Sequence, residues 1–92
     1  MLLTYTLADD YLERRGEFRP EHLALAEAAV ARGELVLAGV VADPYDRSLF
    51  VWREDAAAAA EAFAKADPYV ANGLVLSWEI RTWNTVLGTA MA

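Results

Sequence analysis

The sequence predicts an α+β fold: one ferredoxin-like β-α-β-β-α-β domain with a four-stranded antiparallel sheet. Three observations carry the prediction. Apolar runs of strand length at residues 2–7, 35–42, 49–52 and 74–83 alternate with two stretches of helical spacing in that order. Turn chemistry, Asp43-Pro44-Tyr45-Asp46, falls between the second and third runs, where an antiparallel hairpin needs it. The length, 92 residues, fits one domain over 1–92 and leaves no room for a second.

Residues 2–7 alternate, with Leu3, Tyr5 and Leu7 on one face and Thr4 and Thr6 on the other. Residues 8–18 are polar and charged and read as a loop or a loose helical turn. Pro20 suits the first turn of a helix, where no N–H is needed. The first helix is therefore expected over 20–32, with Leu23, Ala26 and Val30 as its apolar stripe and Gly33 as its stop. Residues 35–42 are continuously apolar and read as a strand covered on both faces. Residues 49–52 form the return strand. Asp55 is a good N-cap for a thin, alanine-rich second helix over 56–66, packed through Phe63 and ended by Pro68. Asn72-Gly73 is a turn. In the last strand Leu74, Leu76, Trp78 and Ile80 are expected on one face, with Val75, Ser77, Glu79, Arg81 and Trp83 on the other. Residues 83–92 form a mildly apolar tail.

The bulk numbers exclude several function classes. Fourteen acidic residues against eight basic ones give a net charge of -6, which disfavours nucleic acid and anionic membranes, since both need clustered Lys and Arg. The absence of cysteine removes disulfides, zinc–thiolate sites and thiol catalysis, and fits a cytoplasmic protein. One histidine with no cysteine makes a transition-metal site a poor reading, so no metal or organic cofactor is expected. The five glycines are scattered and form no phosphate loop. Hydrophobic residues reach 57%, against the usual ~45–50%. In a chain this short the surplus points to a subunit interface, and the two-sided apolar strand at 35–42 puts it on the sheet face away from the helices.

Right-handed crossovers give the spatial order 4-1-3-2 with both helices on one face. The start of the first helix and the end of the second then meet at one end of the domain. That rim collects His22, Asp67, Arg14, Arg15 and Arg19, with Tyr69 beside Asp67. Histidine titrates near neutral pH and serves as a general acid or base. The plain alternatives are a helix-boundary histidine, an Asp-Pro helix stop and solvated arginines.

Three segments carry a family resemblance. Arg19-Pro20-Glu21-His22-Leu23 followed by Gly33-Glu34-Leu35-Val36-Leu37-Ala38-Gly39 resembles the first half of YCII-related domains. Ala66-Asp67-Pro68-Tyr69-Val70 with Gly73-Leu74 resembles their second motif, and Trp78-Glu79-Ile80-Arg81-Thr82-Trp83-Asn84 their closing strand. The resemblance implies a dimeric α/β barrel, in which two such sheets face each other in a homodimer. It also implies a site built from a histidine and an aspartate, which fall on His22 and Asp67. Relatives often carry proline after the strand-two glycine; here Val40 follows Gly39, a departure that bears on the pocket edge or the hairpin path, so a relative's substrate does not carry over.

The expected function is small-molecule acid–base chemistry: elimination, isomerisation or hydrolysis of a small aromatic or acidic metabolite. His22 would move the proton and Asp67 would orient the imidazole. Arg19, Arg14 and Arg15, with Tyr69, would hold the substrate. The alternative is a non-catalytic module that binds the same kind of metabolite.

Overall fold

The computed structural model describes residues 1–88, so the last four residues of the expected tail, 89–92, lie outside the described residues. The chain runs β1 (Leu2–Leu7), α1 (Tyr11–Ala31), β2 (Leu35–Val41), β3 (Arg47–Trp52), α2 (Ala57–Ala66), α3 (Pro68–Ala71) and β4 (Val75–Arg81). The four strands form one sheet in the order β2-β3-β1-β4, antiparallel throughout. This is the expected ferredoxin-like layout. The inner face carries Leu3, Tyr5, Leu7, Leu35, Phe50 and Trp52 against Ala29, Ala60, Phe63 and Ala64 from the helices.

The first helix is longer than the sequence predicts. It begins at Tyr11 rather than Pro20, and Pro20 lies inside it on an exposed turn. Proline lacks the N–H that would bond to the Gly16 carbonyl, and both Gly16 and Pro20 are exposed, so the missing bond falls on the solvent side of the helix. The inward stripe also differs. Leu23 and Val30 are exposed, while Tyr11 and Ala29 are buried and Phe18, Leu25 and Ala26 pack against the core. The stripe thus runs Tyr11, Arg15, Phe18, His22, Ala26, Ala29, at steps of three and four residues. Two of its members are basic, so it does not read as an apolar face. Gly33 ends the helix as expected: its φ is 76°, and the Gly33 and Glu34 N–H groups bond to the carbonyls of Val30 and Ala29.

The second half holds three further differences. Asp55 does not cap α2; the cap position is Ala56, and Asp55 lies on the surface 3.7 Å from Arg53. Pro68 ends α2 and also opens α3, for which Asp67 is the N-cap. In β4 a bulge opposite Thr6 and Leu7 shifts the register. Val75 therefore faces inward beside Leu7, and Leu76 is 68% exposed. A bulge inserts one residue and exchanges the two faces beyond it, so a strict period-two reading of this strand fails at that point. The strand ends at Arg81, leaving Trp83 exposed.

Candidate functional site

Asp67 is the most deeply buried charged residue, with no exposed surface. It sits in the joint between α2 and α3 because Pro68 forbids helical angles at residue 67; its φ and ψ are -69° and 122°. The extended backbone turns its carboxylate back over α3, where Oδ1 accepts the Tyr69 N–H at 3.0 Å. Its other oxygen, Oδ2, accepts the Tyr5 hydroxyl at 2.7 Å and lies 2.8 Å from His22 Nδ1. Three partners from β1, α1 and α3 thus converge on one carboxylate. A buried carboxylate needs such partners.

His22 lies near the middle of α1, not at its start, because the helix begins well before Pro20. It still meets Asp67, since α1 passes α3 on the same side of the sheet. Its side chain is 12% exposed. The ring stacks on Tyr69 with centroids 4.0 Å apart and planes 9° from parallel, and meets the ring edges of Phe50 and Phe63 at about 6 Å. With Asp67 ionised, Nδ1 donates to Oδ2. The neutral ring then keeps its lone pair on Nε2, which has no protein partner among the described residues.

His22 opens onto a cavity of about 210 Å³ between α1 and the β2–β3 side of the sheet. From α1 come Tyr11, Arg15, Arg19 and His22; from the strands come Val40, Ser48 and Phe50; Tyr69 completes the wall. Arg15 lies over the rings of Tyr11 and Tyr45, 5.7 and 5.8 Å from their centroids. Arg15, Arg19 and, on β4, Arg81 have no carboxylate partner among the described residues, whereas Arg14, Arg32, Arg47, Arg53 and Lys65 each have one; of the unpaired three, Arg15 and Arg19 line the cavity. Arg14 stands outside the cavity; it donates to the Asn72 carbonyl at 2.8 Å and pairs with Asp10. The sequence reading therefore splits: His22, Asp67, Arg15, Arg19 and Tyr69 come together, and Arg14 does not join them.

Electrostatics follow burial. The Tyr5 hydroxyl is pushed far above the usual phenol range, first by burial and then by the Asp67 charge and hydrogen bond. Tyr69 is pushed up to about 12, chiefly by burial, with Arg19 and Arg15 pulling the other way. Both phenols stay protonated across the neutral range. The alternation along β1 puts Tyr5 on the core face but does not by itself show that its hydroxyl serves Asp67. The signal was present: a tyrosine at the centre of a buried strand face needs a partner for its hydroxyl. No group of three or more His, Asp or Glu residues is placed to hold a metal ion among the described residues. No helix among them is long and apolar enough to cross a membrane.

The YCII-related domain family matches residues 1–84. No curated protein matches the chain. Among solved structures, it is similar to 5-chloro-2-hydroxyhydroquinone dehydrochlorinase (TftG) from Burkholderia phenoliruptrix AC1100, in complex with 2,5-dihydroxybenzoquinone. The TM-score is 0.70 at 17% identity, covering 91% of this chain and 94% of that one. At this identity the likeness establishes a shared fold.

Proposed function

The chain belongs to the YCII-related family, and on that premise we propose that it is a cofactor-independent acid–base catalyst acting on a small, planar, anionic metabolite. One observation carries the reading. The imidazole of His22 is tied through Nδ1 to a fully buried carboxylate, leaving Nε2 unpartnered in a cavity rimmed by two guanidiniums that lack counter-ions. In a chain of net charge -6, unpaired arginines at a cavity mouth fit a carboxylate or phenolate. The aromatic walls fit a flat ring. The cavity is smaller than the ~300–1,000 Å³ of drug-sized sites, which suits a single-ring compound. The structural neighbour's quinone complex is of that size class.

In the proposed chemistry the substrate anion rests against Arg15 and Arg19, and its ring packs beside Phe50 and Tyr69. Nε2 takes a proton from the substrate. Asp67, held by Tyr5 and the Tyr69 N–H, stabilises the imidazolium that forms. In an elimination the bonding pair left behind expels an anionic leaving group. In an isomerisation the same proton returns at a second position. In a hydrolysis Nε2 would instead take a proton from a water attacking the substrate and return it to the group that departs as its bond breaks.

The test uses benzoate as the binding probe. Arg15→Gln and Arg19→Gln should each weaken it by about tenfold or more, the scale of a hydrogen bond to a charged group, while Arg14→Gln leaves it unchanged. Equal affinity in all four proteins would contradict the anion site. The alternative, a binding module without turnover, is separated by His22→Gln: a catalyst retains probe binding and loses turnover, whereas a binder has no turnover to lose.

We further propose a homodimer through the sheet face away from the helices. On that face Leu37 is 61% and Val41 44% exposed, and Leu2, Leu49 and Val51 are half-buried beside them. A stable pair needs roughly 800 Å² per subunit, an area a four-stranded sheet face can supply.

A further inference from the structure

Apart from the aromatic residues Tyr5, Tyr11, Tyr69 and Trp52, two residues with polar side chains are buried among the described residues, Asp67 and Ser48. Asp67 has three hydrogen-bond partners. Ser48, 7% exposed, has none for its hydroxyl among the described residues. Nor is its oxygen sealed in the core: among the described residues, the one fully enclosed side-chain polar atom without a partner is Trp52 Nε1. Ser48 Oγ is therefore open to the cavity whose wall it forms.

Its position along that wall is fixed by the strand. Ser48 and Phe50 share the inward face of β3 and stand two residues apart, roughly 6.5 Å along the strand. Phe50 marks the His22 end, with its ring 6.1 Å from the imidazole. The other direction leads to the hairpin that carries Tyr45 and clasps Arg15. Ser48 thus lies between the proton acceptor and a guanidinium, among otherwise apolar strand residues such as Val40. Each inward neighbour on this strand is aromatic; a serine here gives up packing area and leaves a hydroxyl to be satisfied.

Resting on the anion-site reading above, we infer that Ser48 is a specificity-determining residue whose hydroxyl bonds a second, uncharged oxygen on the ring of the bound acid, so that the cavity selects hydroxy- or oxo-substituted aromatic acids over the bare ring. A site built to hydrogen-bond a hydroxyl rejects an analogue that lacks it, because its own polar group is then left unpaired.

Benzoate, meta-hydroxybenzoate and para-hydroxybenzoate are the probes, with dissociation constants measured by calorimetry on the wild-type protein, Ser48→Ala and Ser48→Thr. One hydroxylated isomer should bind the wild type about fivefold to tenfold more tightly than benzoate, the scale of one net hydrogen bond. Ser48→Ala should erase that preference, weakening the hydroxylated isomer without weakening benzoate, whose binding no longer strands a hydroxyl. Ser48→Thr keeps the hydroxyl and should preserve the preference. A preference that survives Ser48→Ala, or no preference in the wild type, overturns the role of Ser48 and leaves the arginine site standing. Failure of all three probes to bind the wild type overturns both.

Discussion

Replacing Asp67 with Asn changes one atom in the site and should reverse the histidine tautomer. The asparagine Oδ1 keeps the Tyr69 N–H, which now sits 3.0 Å from Asp67 Oδ1. The amide NH₂ then takes the place of Oδ2, where the carboxylate accepts from Tyr5 at 2.7 Å and faces His22 Nδ1 at 2.8 Å. An NH₂ group only donates. His22 must therefore turn Nδ1 into an acceptor by moving its proton to Nε2. Tyr5 must accept, and its own hydrogen loses its partner in a position with no exposed surface. One unsatisfied buried donor costs about 1–3 kcal/mol, so the variant should fold with a lower denaturation midpoint. Activity should fall by roughly 10⁴-fold, as it does when an orienting carboxylate becomes an amide in a histidine triad. Nitrogen-15 NMR of the ring reads the tautomer directly, and the chain has a single histidine. In the wild type the neutral ring should carry its proton on Nδ1; in Asp67→Asn it should carry it on Nε2. The same tautomer in both proteins would refute the claim that Asp67 sets the imidazole for proton transfer.

Two further outcomes follow from burial. Tyr5 and Tyr69 hold their protons more tightly folded than unfolded, where tyrosine titrates near 10. Their contribution is full below about pH 10 and is lost above it, at about 1.4 kcal/mol per pH unit for each phenol that stays protonated. The Tyr69 contribution is gone by about 12. Urea denaturation across the alkaline range checks this, and a flat profile from about pH 10 to 12 would contradict it. On the outer sheet face, Leu37→Lys should convert a dimer into a folded monomer in sedimentation equilibrium; a monomeric wild type would end the dimer proposal.

How far the sequence could be read depends on which signals were local. Strand order was legible because chain order and crossover handedness leave few arrangements. The meeting of His22 and Asp67 followed from that topology, and their motifs pointed to the same pair. The first nine residues of α1, 11–19, do not read as helix, because the stripe that faces inward there, Tyr11, Arg15 and Phe18, is broken by an arginine that lines the cavity. Arg15 and His22 occupy positions that an apolar pattern expects to be filled by leucine or valine. Pro20 reinforced the error by resembling a first-turn proline. The bulge in β4 left no compositional mark, so Leu76 and Val75 were assigned to each other's faces. Tyr5 was placed on the correct face, but only its 2.7 Å approach to Asp67 reveals that it supports the site. Arg14 could not be told from Arg15 by composition; one helical step of about 100° puts one on Asn72 and the other in the cavity.

The account rests on His22 moving a proton in a site that holds a small anion. The direct measurement is to identify by mass spectrometry the small molecule that copurifies with the protein, then follow its conversion by the wild type and by His22→Gln. The account predicts turnover by the wild type and intact binding without turnover by His22→Gln. A ligand that both proteins hold unchanged, or that both convert at the same rate, would contradict it.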